Sequence, residues 1–288
     1  MSTHLKAAAR VGKISYINCL PFYHRLFENA SWDPSRYEIY EAYPTKINLA
    51  MRAGKIDIAP VSSLEYLNHQ DKYMILPDLA IGSRDFSGSV LLLSKEKIEN
   101  LDGEKVVLSR QSLSSAALLR ILLRFKYKFK NDFVSSSAAP AEMMKSSKAA
   151  LVIGDEALFF ESEEFVYKYD LSELWWNWTD KPFCFSLWAV RKDYAAAHAD
   201  EVSSFWREVC ENRTRNLTDI EGLLKDSMKI SFMDAKFSKV YGYFFNLNYY
   251  LDEGTLEGLE LFYRLANRLG LSPKARKLDF FKPSKRTS

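Results

Sequence analysis

Apolar and polar residues follow two rhythms along the chain, and the rhythms take turns. Short apolar runs with a period near two read as strands at Val11 to Ser15, Tyr37 to Ala42, IDIAPVSS and Tyr73 to Ile81. Between them lie stretches with helical spacing. Leu20 to Phe27 has Pro21 at an allowed first-turn position, PTKINLAMRAG is closed by Gly54, and LEYLN follows the third strand. The opening is therefore βαβαβ with short connections. GSVLLLSKEKIENLDGEKVVLS then gives a long apolar strand, a short link around Asn100 and a new buried strand. Ser114 and Ser115 open the apolar helix AALLRILLRF, Asp132 to Ser135 is extended, PAEMMKSS is a short helix, and AALVIGDEALFF runs from strand into helix. FCFSLWAVRKD reads as a return strand, and amphipathic helices around SSFWREVC, IEGLLKD and LEGLELFYRLANRLG finish the chain.

Strand and helix alternating in this way predict an α/β protein with largely parallel sheets in two lobes. The expected division puts 1–93 and 187–288 in a discontinuous lobe I and 94–186 in lobe II. With no Gly/Ser linker, the strands that cross between lobes would double as hinges, and the cleft between the lobes is the expected ligand site.

Composition narrows the class. Of 288 residues 47% are hydrophobic and 14% aromatic, enough for a sizeable core, and no apolar run approaches the length of a membrane span. The net charge is +3, yet the last sixteen residues hold six bases and one acid, so the rest is slightly acidic. Such a body lacks the broad positive field that nucleic acid selects, and neither nucleic acid nor membrane is an expected partner. Cys19, Cys184 and Cys210 have no paired metal spacing and no even count, which favours reduced cytoplasm. The three alanines near the N-terminus lack a preceding apolar segment, so no signal peptide is expected.

No GxGxxG follows the first strand, no GxxxxGK[ST] occurs, and the four histidines lack ligand spacing; nucleotide cofactors and a metal site are not expected. What stands out instead is a set of hydroxyls and amides where strands hand over to helices: SYINCLP at 15–21, PVSS at 60–63, SGS at 87–89, SLSS at 112–115 and GDE at 154–156. Open α/β sheets bind ligands at such handovers. The helix beginning near Ser114 offers free N–H groups and a positive dipole end, which with two hydroxyls suits a carboxylate. Ser62, Ser114 and Asp155 each read first as ordinary helix caps, and it is their recurrence that points to a ligand; Asn18 reads equally as an Asx turn or as an amide that binds ligand through both donor and acceptor. The tryptophans of WWNW, Trp175, Trp176 and Trp178, are candidate walls for a ring-shaped substrate, with core or rim packing the expected account of at least two of them; Trp178 is the one taken as a site residue. Arg84 and Arg110 adjoin the hydroxyl clusters.

The blocks SYINCLP, DIAPVSSLEYL, SVLLLS, VVLSRQSLSSAALLRILL, LVIGDEAL and YDLSELWWNWTDKPFCFSLWAV, in this order over about residues 10 to 192, resemble the chorismate dehydratases of the futalosine route to menaquinone. Several separated blocks in agreement are far more specific than one short motif. Two positions depart from that family: Cys19 stands where Thr is common after the motif asparagine, and Ser109 where an acid is frequent. The related 1,4-dihydroxy-6-naphthoate synthases share the fold, but their early SPCPND-like motif is absent.

The resemblance implies a two-lobed type II periplasmic-binding-protein-like fold with a ligand cleft between the lobes, used by a cytoplasmic lyase without a cofactor. Chorismate is the implied substrate and 3-[(1-carboxyvinyl)oxy]benzoate the product. Asn18 matches the asparagine at the reacting centre, with Asp155 as a protein-side base and the substrate's own enolpyruvyl carboxylate as the other. Substrate contacts are expected from Ser15, Tyr16, Ser62, Ser87, Ser89, Ser112, Ser114, Ser115 and Trp178. The competing reading from another class is a solute-binding protein that holds a small carboxylate without chemistry.

Overall fold

The computed structural model describes residues 8–26, 34–162, 166–230 and 234–284. Strands β1 (Ala9–Lys13), β2 (Tyr37–Glu41), β3 (Ile58–Ser62) and β4 (Tyr73–Ser83) build a first sheet. The chain then crosses to a second sheet of β5 (Val90–Ser94), β6 (Lys105–Ser109), β7 (Asp132–Ser136), β8 (Ala149–Ile153) and β9 (Tyr167–Asp170), and returns with β10 (Phe183–Arg191) and β11 (Leu247–Asn248). Among the described residues the orders are β11-β4-β10-β3-β1-β2 and β7-β6-β8-β5-β9. β3, β5 and β8 are buried at every residue, as strands covered on both faces must be.

The sheets are mixed rather than largely parallel, which corrects the expectation. β1 pairs in parallel with β2 and β3, and β6 with β7 and β8; β5 and β10 are antiparallel to all their neighbours. The parallel pairs follow helical crossovers that carry the chain back to the starting edge. β5 and β10 are the strands that arrive directly from the other sheet, so they enter from the far end and run against their neighbours. The crossings lie at 84–89 and 171–182, and the expected division at 93/94 falls inside β5.

Helices fill the connections: α1 (Leu20–Tyr23), α2 (Pro44–Arg52), α3 (Ser63–Asn68), α4 (Leu113–Ile121), α5 (Pro140–Lys145), α6 (Gly154–Leu158) and α7 (Leu171–Thr179), then α8 (Lys192–Ala197), α9 (Ala199–Thr218), α10 (Ile220–Met228), α11 (Phe237–Asn246) and α12 (Glu253–Arg268). α1 is shorter than the expected Leu20 to Phe27: His24 is extended and Arg25 has φ +57°, while Phe27 lies outside the described residues. Its open carbonyls are met from α9, where Asn212 Nδ2 donates to Phe22 O (3.0 Å) and Asn216 Nδ2 to Pro21 O (3.0 Å). β9, α7, α11 and β11 were not anticipated. WWNW therefore belongs to a helix: Trp175 is buried edge-on against Phe183 with ring centroids 5.6 Å apart, and Trp178 packs against Trp175 at 6.0 Å.

Both crossings are tied by one buried carboxylate. Asp170 caps α7, its Oδ1 accepting from Ser172 N (2.8 Å) and Glu173 N (3.3 Å). Its Oδ2 accepts from Ser87 N (3.2 Å), Ser87 Oγ (2.8 Å) and Gly88 N (2.7 Å) in the other crossing. Gly258 marks a second tight seam, because a Cβ there would sit 1.9 Å from Pro182 O beside the returning crossing. Gly258→Ala should therefore cost about 1–3 kcal/mol of stability, read by urea unfolding; an unchanged midpoint would show that α12 can retreat freely.

Candidate active site

A cavity lies between the sheets, at the ends of strands from both. Each wall follows from a local rule of chain geometry. After β1 the chain makes a tight turn over Ile17–Cys19 that presents Asn18, held by Cys19 N donating to Tyr16 O (2.9 Å). Ser62 ends β3 and caps α3, its Oγ accepting from Glu65 N (3.3 Å) and from Asn48 Nδ2 (3.1 Å). Ser112 caps α4 in the same way, accepting from Ser115 N (3.1 Å) while donating to Ser115 Oγ (2.8 Å). The N–H groups of Leu113 and Ser114 have no acceptor within the helix, so the head of α4 brings positive dipole density to a wall already lined by two hydroxyls. Ser89 comes from the start of β5 and Ser186 from β10; Ile14, Ile81, Val90, Ile153 and Phe185 supply apolar surface.

No ionisable carboxylate, ammonium, guanidinium or imidazole lines this cavity among the described residues. Its polar groups are hydroxyls and an amide, which can donate to an anion without carrying charge themselves. Asn18 is oriented from two sides. Its Oδ1 accepts from Cys19 Sγ (3.3 Å), and the buried Tyr243 hydroxyl sits between Asn18 and Ser89, donating to Ser89 Oγ (2.8 Å). Burial drives the Cys19 thiol and Tyr243 phenol far above their ordinary ranges, with the nearby Asp155 carboxylate adding to the shift in both. Both stay protonated at neutral pH, so neither serves as thiolate or phenolate.

The two sheets meet tightly around the cavity. Ile17 N donates to Asp155 Oδ1 (3.1 Å), and the Tyr16 hydroxyl donates to Gln111 Oε1. Gly154 permits this approach: at φ +67° it faces the Tyr16 ring, and a Cβ there would lie 3.1 Å from ring atoms. On the opposite side Ser114 Oγ meets Ser63 Oγ (3.0 Å) and accepts from Leu64 N (3.1 Å), while Ser63 Oγ donates to Cys184 O (2.7 Å).

Of the residues expected at the site, Tyr16, Asn18, Ser62, Ser89, Ser112 and Ser115 come together on the cavity wall. The others lie outside its lining, each for a visible reason. Ser87 is committed to Asp170. Ser114 faces α3 and is occupied by the contact between sheets. Ser15 is exposed and donates to Glu41 Oε1 (2.7 Å). Asp155 opens with Ser15 and Glu41 on an outer groove rather than on the cavity, and Trp178 belongs to the packing around Trp175. Arg84 lies over the Trp176 ring at 5.0 Å. Sequence reasoning missed Ser186 and Tyr243. Ser186 had a signal, a lone hydroxyl in the apolar run FCFSLWAV; Tyr243 had none, because its helix was not recognised.

Asp155 has its carboxyl raised above the ordinary range by burial, against a smaller opposing effect of the Ile17 N–H. A raised native value means that the folded state holds its proton more tightly than the unfolded chain. Its contribution is then fully present below the ordinary value of 3.8 and is lost as pH rises through the native value. Asp155→Asn keeps an acceptor for Ile17 N without the charge. The variant should melt at least as high as the parent at pH 7–8, with the difference shrinking toward pH 4 in a thermal melt series. A variant less stable at pH 7 than at pH 4, relative to the parent, would mean that the charge itself stabilises the contact.

Comparison with known proteins agrees with the architecture. The chain is 28% identical, over 294 aligned positions covering 91% of it and 95% of the relative, to a chorismate dehydratase of Thermus thermophilus. Among solved structures it is similar to protein AF1704 from Archaeoglobus fulgidus, with TM-score 0.71, 19% identity, and 93% of this chain and 100% of that one covered. It also superposes on the periplasmic aliphatic sulphonate binding protein SsuA from Escherichia coli, with TM-score 0.65, 15% identity, and coverage of 98% and 94%. The fold is thus periplasmic-binding-protein-like, and no helix among the described residues is long and apolar enough to cross a membrane. The family model for menaquinone biosynthesis matches residues 9–268, and the chain belongs to that family.

Proposed function

We propose that the protein is a chorismate dehydratase, a hydro-lyase that converts chorismate to 3-[(1-carboxyvinyl)oxy]benzoate and water in menaquinone biosynthesis. The observation that carries this reading is the cavity itself: Asn18 and the hydroxyls at the head of α4 line one space that no charged side chain enters among the described residues.

Loss of water from chorismate requires the C3 hydrogen to leave as a proton and the C4 hydroxyl to depart with its bonding electrons. The ring becomes aromatic in the process, and no electrons are exchanged with a cofactor. The ring carboxylate is conjugated through a double bond to C3, so negative charge developing at C3 spreads onto that carboxylate. Ser112, Ser115 and the first-turn N–H groups of α4 are assigned to hold it, which stabilises the transition state more than the ground state. Asn18 is assigned to the C4 hydroxyl, which its amide orients for departure. An amide is not a base at neutral pH. Because the cavity wall presents no carboxylate, the substrate's enolpyruvyl carboxylate is assigned as proton acceptor, held by Ser89 and Ser62. Asp155 then positions the Ile17 turn and does not take the proton; full turnover by Asp155→Asn is the corresponding expectation. The two lobes, joined at 84–89 and 171–182, would close over the substrate and exclude water. A cytoplasmic setting is part of the same reading.

Solute-binding relatives of the same fold make a second reading concrete: such a cavity could retain a carboxylate and do nothing further. Purified protein incubated with chorismate, without added metal or cofactor, separates the two. Chromatography with mass detection should find the carboxyvinyloxybenzoate accumulating as chorismate disappears. Intact chorismate, bound and recovered unchanged, would favour the solute-binding reading.

A further inference from the structure

A hydroxyl on a binding wall can give or take a hydrogen bond, and the bonds it already makes decide which capacity stays open to a ligand. For Ser62 the decision is complete. Its Oγ accepts from Asn48 Nδ2 (3.1 Å) and from Glu65 N (3.3 Å), which fills both lone pairs, and among the described residues its own hydrogen meets no acceptor. Capping of α3 accounts for the bond from Glu65 N and not for the one from Asn48. Asn48 is 3% exposed on α2 and spends both ends of its amide on Ser62, with Oδ1 accepting from Ser62 N (3.2 Å). A backbone N–H can only donate, so the amide oxygen must face it and the amide nitrogen must face the hydroxyl.

Ser89 is held in the same sense. The Tyr243 hydroxyl, buried on α11, donates to Ser89 Oγ (2.8 Å), and Ser89 Oγ donates to no acceptor among the described residues. Ser62 ends β3 in the first sheet, Ser89 precedes β5 in the second, and both line the cavity, whereas Asn48 and Tyr243 lie outside its lining. We propose that Asn48 and Tyr243 are positioning residues that turn the hydroxyl hydrogens of Ser62 and Ser89 toward the cavity, making both of them donors to one carboxylate of the ligand. That this group is the enolpyruvyl carboxylate rests on the dehydratase reading. Hydrogens already turned inward need no reorientation when an anion arrives, which is how a wall without a cation can hold one.

The test is calorimetric titration of 3-[(1-carboxyvinyl)oxy]benzoate into the full chain and its variants. This compound carries both carboxylates but has lost the C4 hydroxyl, so the part assigned to Asn18 in the reaction is not read. Tyr243→Phe should weaken binding about three- to tenfold, as loss of one oriented hydrogen bond does. Ser89→Ala should do at least as much, and the two together should bind no more than about twofold weaker than Ser89→Ala alone, because Tyr243 acts through that hydroxyl. Asn48→Asp keeps an acceptor for Ser62 N but replaces the donor to Ser62 Oγ by a second acceptor, which draws the hydroxyl hydrogen away from the cavity. Its effect should be at least about threefold larger in the parent than in Ser62→Ala; the added charge acts in both backgrounds and cancels in the comparison. A Tyr243→Phe variant that binds like the parent, effects that simply multiply in either pair, or a parent that does not bind the compound would overturn the positioning role. Chorismate turnover by the parent is scored apart. Turnover with multiplying effects would sink the positioning and leave the dehydratase reading, while coupled binding without turnover would do the reverse.

Discussion

Asn18→Ala should lower kcat for chorismate by about 10²–10³-fold while leaving the thermal midpoint nearly unchanged. The magnitude is that of losing one preorganised donor at the place where the transition state differs from the ground state. Asn18 is fixed before substrate arrives, between the Cys19 thiol and the Tyr243 hydroxyl, so its amide loses little freedom on engaging the C4 hydroxyl. It sits on a turn rather than inside a packed layer, and truncation removes hydrogen bonds without opening the core. The split between constants is informative. If Asn18 acts on the leaving hydroxyl, kcat falls more than KM rises; a purely structural loss would show first in the melt. Asn18→Asp should be no better, because it places a carboxylate in a cavity meant for a dianion. A kcat within about threefold of the parent would remove Asn18 from the mechanism.

The largest effect on stability is expected at a residue that touches no substrate. Asp170→Ala deletes the acceptor for five donors, in the backbone of both crossings and in the Ser87 hydroxyl, at a site that is 2% exposed. Each buried donor left without a partner costs about 1–3 kcal/mol, and water entering the gap recovers part of this, so a net loss of about 3–5 kcal/mol is expected from urea unfolding. Function should suffer with it. The SGS turn that Asp170 holds also delivers Ser89 to the cavity, so the remaining folded enzyme should show a raised KM. Asp170→Asn keeps two oxygen lone pairs but turns two donors toward N–H groups, and it should fall between parent and alanine variant. A loss below about 1 kcal/mol in Asp170→Ala would mean that the crossings hold their geometry without the clamp.

These two residues show what a sequence can and cannot disclose. Asn18 was legible because strand, tight turn and Pro21 mark a handover, and handovers are where such sheets bind ligands. Ser62 and Ser112 were legible for a related reason: caps are local, and each serves its own helix three residues on. Asp170 and Ser87 lie 83 residues apart, and nothing in either neighbourhood signals that they meet. Ser114 carries the same lesson, since its hydroxyl is taken by Ser63 and Leu64 at the head of α3, a helix far away in sequence. Strand positions followed from apolar runs, but the antiparallel entry of β5 and β10 depends on which sheet a strand arrives from. Asp155 looked like a base by position, and its commitment to the Ile17 turn, on a groove outside the cavity lining, became visible only when that turn was placed against it.

Chorismate carrying deuterium at C3 provides the most direct test of the reaction assigned to this cavity. After incubation with the purified protein, the account predicts a carboxyvinyloxybenzoate product that contains no deuterium, with the label released to solvent. Product that retained the label would contradict proton loss from C3, and labelled chorismate recovered unchanged would contradict the dehydratase itself.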